Sequence, residues 1–118
     1  MKDVNKLILV GRLGAEPVQR ETKSGKRVVQ FPLATARMNS QKEQETQWHR
    51  VVVWGKQAEM CQQYLDKGQT VYVEGILKSR KYTTQGGEER TAYEVHADEV
   101  NFLSKARGSV PAIESPMP

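Results

Sequence analysis

The sequence predicts an all-β domain: a small closed barrel of five strands, with one helix between the third and fourth strands. Along most of the chain, apolar and polar residues alternate with a period of two, which is typical of half-buried strands. One stretch, residues 56–68, changes to a helical period. No strand–helix–strand unit repeats and no glycine-rich phosphate loop is present, so the pattern does not favour a parallel α/β sheet.

The strands before the helix are bounded by turn signals. Residues 6–13 form an apolar run closed by a glycine, and a short second segment at 18–22 ends in the turn sequence KSGK. Residues 28–38 alternate well, and the polar loop 39–45 separates them from the strand 46–54.

The strand 28–38 carries a constraint of its own. Val29, Phe31 and Leu33 share one face, which predicts the side that meets the core. Pro32 has no N–H to donate to a neighbouring strand, so we expect it at an edge or at a bulge.

The helix is predicted to begin after Gly55. Ala58, Cys61 and Leu65 fall on its apolar stripe, and Gly68 is the predicted C-terminal cap. The single cysteine excludes an internal disulfide, and its place on this stripe predicts a buried thiol rather than a nucleophile.

Two strands follow the helix. Residues 70–82 alternate and end in the basic segment KSRKY, the turn signal QGG predicts a hairpin, and residues 91–103 return as the last strand. In that strand Tyr93, Val95 and Ala97 are predicted to oppose the face with Glu94 and His96. Five such strands and one helix suit the oligonucleotide/oligosaccharide-binding (OB) barrel.

The folded domain is predicted to span residues 1–104. From 105 to 118 the chain has three prolines and no periodicity, so we expect a disordered tail.

The composition is that of a soluble globular chain, with 37% hydrophobic and 27% charged residues. Lys and Arg number 18 and Asp and Glu 14, and the formal charge of +4 is compatible with a polyanionic partner without demonstrating one. No apolar run approaches the roughly 20 residues of a membrane span, and the N-terminus alternates like a strand rather than a signal peptide. We therefore expect no membrane partner and a cytoplasmic location, or an organelle matrix if a targeting segment has been removed.

Both tryptophans of the chain lie on the strand 46–54. Alternation places Trp48, Arg50 and Trp54 on one side and His49 with two valines on the other. An exposed aromatic and cationic face is what single-stranded nucleic acid requires, because every base offers a π-face for stacking. The alternative is that the tryptophans pack in the core.

The basic segment Lys78 to Tyr82 has two interpretations. It is either a solvated hairpin whose charge discourages aggregation, or a finger that follows a phosphate backbone and offers Tyr82 for stacking.

Nothing in the sequence indicates catalysis. His49 and His96 stand on separate strands without metal-ligand spacing, and the carboxylates are scattered as on an ordinary solvated surface. We expect no enzyme activity, no metal and no cofactor.

Four segments follow one another in an order that resembles the bacterial-type single-stranded-DNA-binding protein family, whose mitochondrial relatives share the domain. They are VNKLILVGRLGAEP, VVQFPLATAR, QETQWHRVVVWGKQAE and YLDKGQTVYVEGILKSRKYTTQGG. The resemblance covers about residues 1–103.

This resemblance implies an OB fold, a homotetramer and single-stranded DNA as the partner, with a nucleoid-associated location. It implies base stacking at the aromatic positions Trp48, Trp54 and Tyr82. It implies DNA contacts at or near the basic positions Arg50, Lys56, Lys67, Arg80 and Lys81. It also places His49 at a subunit interface.

Two departures from the family pattern limit this expectation. Some members have a further stacking tryptophan where this chain reads ARMNSQK, although Arg37 is expected to contact phosphate there. The bacterial pattern also ends in an acidic tip that recruits replication and repair enzymes, whereas this chain ends ESPMP. Recruitment through such a tip is not carried over, and a truncated chain, a paralogue, a phage or plasmid form and an organelle form all stay open.

The sequence therefore predicts non-enzymatic, largely sequence-independent binding of single-stranded DNA in replication, recombination and repair. The alternatives are a primosome-type OB dimer that mainly bridges other replication proteins, and an OB module that binds RNA or protein.

Overall fold

The computed structural model describes residues 2–104, which contain six strand segments and one helix. Numbered in chain order, they are β1 Leu7–Leu13, β2 Val18–Glu21, β3 Arg27–Met38, β4 Gln44–Trp54, α1 Gly55–Tyr64, β5 Thr70–Thr83 and β6 Glu89–Phe102. The predicted tail, residues 105–118, lies outside the described residues, so the predicted domain boundary stays a prediction.

Five of the strands close into a barrel. Going round it, β1 pairs with β5, β5 with β6, β6 with β4 and β4 with β3. The ring closes where Arg12 and Leu13 of β1 pair with Ala34 and Leu33 of β3. The prediction of a closed five-stranded barrel, with one helix between its third and fourth strands, is confirmed. The short segment β2 pairs with β3 beside the ring.

Pro32 lies at a local break in the strand pairing. On one side β3 pairs with β4 without a register shift, so the proline is not at a bulge. On the other side β2 pairs with residues 27–30 and β1 with residues 33–34, which leaves residue 32 between two partners. Its carbonyl accepts a hydrogen bond from the N–H of Gly14 at 2.9 Å on that side. Pro32 therefore lies at a gap inside the sheet, between β1 and β2, and not at an outer edge.

The core fills the barrel with the residues that alternation assigned to it. Val29, Phe31 and Leu33 of β3 are at most 2% exposed. The same cluster contains Leu13, Val51, Val53, Ala58, Cys61, Leu65, Val71, Val73 and Val95. The prediction of a buried thiol is confirmed for Cys61, and burial raises its pKa to about 12.

The predicted C-terminal cap of α1 is wrong. The helix ends at Tyr64, and Leu65 is already extended, with φ −91° and ψ 138°, while its side chain is fully buried. Gly68 instead occupies the third position of a turn from Asp66 to Gln69, with φ 91°. A turn with positive φ at that position favours glycine, so the residue was recognised correctly and assigned to the wrong element.

The hairpin of β5 and β6 projects beyond the barrel. β1 pairs with β5 over residues 70–75, and β4 pairs with β6 at Val95 and His96. The part beyond these pairings, residues 78–94, is named the finger here. At its tip the N–H of Gly87 donates to Thr84, which confirms the predicted hairpin turn.

Residues 2–104 contain no helix that is both long and apolar enough to cross a membrane.

Candidate nucleic-acid interface

The two sides of β4 differ in the way that alternation predicted. Val51 and Val53 are fully buried in the core. On the outer side Trp48 is 61% exposed and Trp54 is 41% exposed, with the buried Val52 between the two ends of this face. These exposures do not fit the alternative in which the tryptophans pack in the core.

Two adjoining concavities lie along this outer side. One, of about 440 Å³, is lined by three predicted site residues, Arg50, Trp54 and Arg80. The other, of about 530 Å³, is lined by Trp48 and again by Arg50, together with Tyr93 from the finger. Arg50 therefore lies between the two tryptophans and borders both concavities.

Trp48 rests on the backbone of Gly14. A Cβ atom added at Gly14 would lie only 2.3 Å from Cζ3 of the indole, so only a glycine allows the ring this position. From the sequence, Gly14 is predicted only to close β1, and this contact is not predicted. The signal is the register: β1 ends beside the part of β3 that pairs with Trp48.

Trp54 is held by a histidine of β6. Its Nε1–H donates to Nδ1 of His96 at 3.2 Å, and the two rings stack with centroids 6.2 Å apart and planes 26° from parallel. Because Val52 and His96 are register partners in the parallel pairing of β4 with β6, the strand pairing sets this contact.

Glu94 connects this histidine to the finger. Its Oε1 lies 3.1 Å from Nε2 of His96, and its Oε2 lies 3.2 Å from Nε of Arg80. The Arg80 guanidinium carbon in turn lies 5.7 Å from the centre of the Tyr82 ring.

The environment of Glu94 favours the ionised form. Burial raises the pKa of this carboxyl, but the hydrogen bonds from His96 and Arg80 outweigh burial, so the pKa lies below its ordinary value. At 6% exposure Glu94 does not lie on an ordinary solvated surface, where the carboxylates are predicted to lie. Neither Glu94 nor His96 is predicted from the sequence as a residue of this face.

The other predicted basic residues do not line the two concavities. Lys56 is exposed in the first turn of α1, and Lys81 is exposed on the finger. Arg37 is exposed near the end of β3, where its register partner is Glu45. Lys67 lies in the turn before β5.

His49 points to the other side of β4. Its Nε2 lies 2.9 Å from the hydroxyl of Thr35, and partial burial lowers its pKa. The structure is of one chain, so the predicted subunit contact stays a prediction.

Among residues 2–104, no group of three or more His, Cys, Asp or Glu side chains is arranged to hold a metal ion.

Known proteins share sequence with this chain. It is 40% identical over 107 residues to the single-stranded DNA-binding protein 1 of Chlorobaculum tepidum, a match that covers 86% of this chain and 66% of that protein. It is 43% identical over 104 residues to the single-stranded DNA-binding protein of Neisseria meningitidis serogroup B, covering 85% of this chain and 60% of that protein. The chain thus spans somewhat less than two thirds of the length of these relatives.

A solved structure is similar over almost its whole length. The complex of Plasmodium falciparum SSB with ssDNA superposes with a TM-score of 0.79 at 32% identity, and the match covers 88% of this chain and 98% of that one. The predicted OB fold is confirmed. The profile of the single-strand binding protein family matches residues 4–103. The chain therefore belongs to the single-strand binding protein family.

Proposed function

We propose that this chain binds single-stranded DNA with little sequence preference and coats it during replication, recombination and repair. The observation that carries the proposal is the outer side of β4, where two exposed tryptophans stand on either side of Arg50. The names of the relatives from Chlorobaculum and Neisseria, and the DNA in the Plasmodium complex, support the same function.

The mechanism is stacking within a basic setting. Each exposed ring of Trp48, Trp54 and Tyr82 takes the face of one base, which contributes about 1–3 kcal/mol per base and is largely independent of sequence. Arg50 has no ion pair among the described residues, so its guanidinium is available for phosphate or for stacking. Lys56, Lys67, Lys81 and Arg37 add positive charge along the path.

Titration with an oligothymidylate at several salt concentrations tests this function. We expect tight binding that weakens as salt rises, because released counterions drive part of the association. A matched RNA strand should compete poorly with the DNA. Failure to bind the oligothymidylate, or a clear preference for RNA, would contradict the proposal and favour the OB module that binds RNA or protein.

We propose that the working assembly is a homotetramer. Ile8 and Val10 are 55% and 51% exposed on the outer side of β1, and such apolar residues on a strand surface suit a subunit contact. Solution mass separates the tetramer from the primosome-type dimer. His49→Tyr is expected to shift the mass toward smaller species at low protein concentration, and an unchanged mass would remove His49 from the interface.

We propose no catalytic role for the chain, since its family is one of DNA-binding proteins. Recruitment of replication and repair proteins and a cytoplasmic, nucleoid-associated location stay predictions.

A further inference from the structure

A continuous chain of contacts joins two of the three proposed stacking residues, Trp54 and Tyr82. It runs from Trp54 through His96, Glu94 and Arg80 to Tyr82, with polar contacts of 3.2, 3.1 and 3.2 Å and a final cation–ring distance of 5.7 Å. These five residues are named the relay. They come from β4, β5 and β6. The outer side of β4, with Trp48, Arg50 and Trp54, is named the tryptophan face, and β5 and β6 form the finger.

The hydrogen bonds of the relay have only one consistent direction. An indole N–H can donate and cannot accept, so Nδ1 of His96 must carry the lone pair. The ring proton of the neutral imidazole is therefore on Nε2, where it donates to Oε1 of Glu94. Oε2 of Glu94 accepts from Arg80, so both carboxylate oxygens are engaged. Each side chain is fixed by its neighbour.

A carboxylate is unexpected at this place on electrostatic grounds. The side chain of Glu94 is 8% exposed and lines the same concavity as Arg50 and Trp54. A negative charge there opposes phosphate and neutralises Arg80, so by charge alone it weakens binding of DNA. Any gain in DNA affinity from Glu94 must therefore come from the way it orients the neighbouring side chains.

We propose that Glu94 and His96 are positioning residues that fix the Trp54 indole and the Arg80–Tyr82 pair in the orientation that receives bases. This inference rests on the proposed binding of single-stranded DNA. A side chain held in its bound orientation before association loses less conformational entropy when the ligand arrives. The relay therefore raises affinity although its centre carries the charge of the wrong sign.

The substitution Glu94→Gln separates orientation from charge. Loss of the negative charge alone predicts tighter binding of oligothymidylate, whereas loss of orientation predicts binding about 3- to 10-fold weaker. Glu99→Gln is the matched control, because it removes the same charge from β6 outside the relay, and its affinity should not fall. Tighter binding by Glu94→Gln than by wild type would overturn the proposal.

Two substitutions at His96 test the geometry directly. His96→Phe keeps a ring beside Trp54 but has no acceptor, whereas His96→Asn places Oδ1 near the position of Nδ1. In the free protein, the NMR signal of the Trp54 indole N–H should show faster hydrogen exchange in the Phe variant and protection close to wild type in the Asn variant. Trp48→Phe assigns that signal.

DNA affinity should follow the same order, with the Asn variant closer to wild type than the Phe variant. Equal exchange and equal affinity in the two variants would overturn the positioning role. If Glu94→Gln fails to fold, the His96 pair decides. A wild-type protein that does not bind oligothymidylate would overturn the proposed function, and the positioning role with it. Normal wild-type binding without an effect of the relay variants would overturn the positioning role alone.

Discussion

The two ends of the tryptophan face are supported in different ways. Trp48 packs against Gly14 and is 61% exposed. Trp54 is 41% exposed and is held through its N–H by His96. One ring is placed by the absence of a side chain beneath it, and the other by a directed hydrogen bond. The same residue type on the same side of one strand thus depends on different partners.

The strand pairing explains this difference. Near Trp54, β4 has neighbours on both sides, since Val51 and Val52 pair with β6 as well as with β3. Near Trp48, among the described residues, β4 pairs with β3 only. At the Trp54 end β4 is therefore flanked by both β3 and β6, whereas at the Trp48 end it is flanked by β3 alone, which in turn pairs with β1 through Ala34 and Arg12.

Replacing each tryptophan should have the largest effect and tests whether the two ends are unequal. Trp48→Ala and Trp54→Ala are each expected to weaken oligothymidylate binding by about 1–3 kcal/mol, or roughly 5- to 150-fold. The loss should be larger for Trp54→Ala, because the ring that is removed was already oriented. Because each variant lacks one of the two fluorescent tryptophans, both affinities should be measured by a method that does not use fluorescence, such as calorimetry. Equal losses would remove the proposed advantage of the Trp54 end.

A second, smaller effect is expected at Gly14. In Gly14→Ala the new Cβ must displace the indole of Trp48, so we expect binding weakened by about 2- to 10-fold with the Trp54 indole N–H unaffected. Gly86→Ala is a suitable control for folding, because its added Cβ would lie 3.8 Å from Oγ1 of Thr84, an ordinary contact distance. In a Trp48→Ala background Gly14→Ala should cause no further loss of affinity. An additional loss there would show that Gly14 acts apart from the ring.

A third effect compares the two arginines of the face. Arg50 has no ion pair among the described residues, whereas Arg80 is paired with Glu94 at 3.2 Å. We expect Arg50→Gln to weaken binding a few-fold and to reduce the slope of log K against log salt by about 0.7, the value for one phosphate contact on a single strand. Arg80→Gln should change that slope less. The reverse order would indicate that Arg80 contacts phosphate directly.

The smallest effect concerns stability at acid pH. The pKa of Glu94 is lowered in the folded protein, so its ionised form stabilises the fold above the pKa of the unfolded chain. This contribution is lost as the pH falls through the lowered folded value. Thermal unfolding from pH 6 downwards should therefore show a steeper loss of stability in wild type than in Glu94→Gln. Parallel curves would mean that folding does not lower the pKa of Glu94.

Most of what could be predicted from the sequence followed from the alternation of side chains along each strand. The exposure of Trp48 and Trp54 and the burial of Val51 and Val53 follow from alternation along one strand, which needs no knowledge of other strands. Alternation was less informative about burial on the finger. Tyr93 shares the side of Val95 as predicted, but it is 64% exposed because β6 has left the barrel there.

The supports of the tryptophans could not be predicted from local pattern. His96 is 42 residues from Trp54 in the sequence, and Gly14 is 34 residues from Trp48. Which residues meet across the barrel depends on strand order and register, including the register shift at Glu74 and Gly75. A pattern of period two fixes the side of a residue, but it does not identify the partner on the neighbouring strand.

Fluorescence of single-tryptophan variants tests the central claim, that both rings stack on bases, most directly. Trp48→Phe leaves Trp54 as the sole tryptophan, and Trp54→Phe leaves Trp48. Titration with oligothymidylate should quench the emission of each variant, with saturation at the same ratio of nucleotide to protein. No change in emission from either tryptophan, together with wild-type affinity in both alanine variants, would contradict the stacking account.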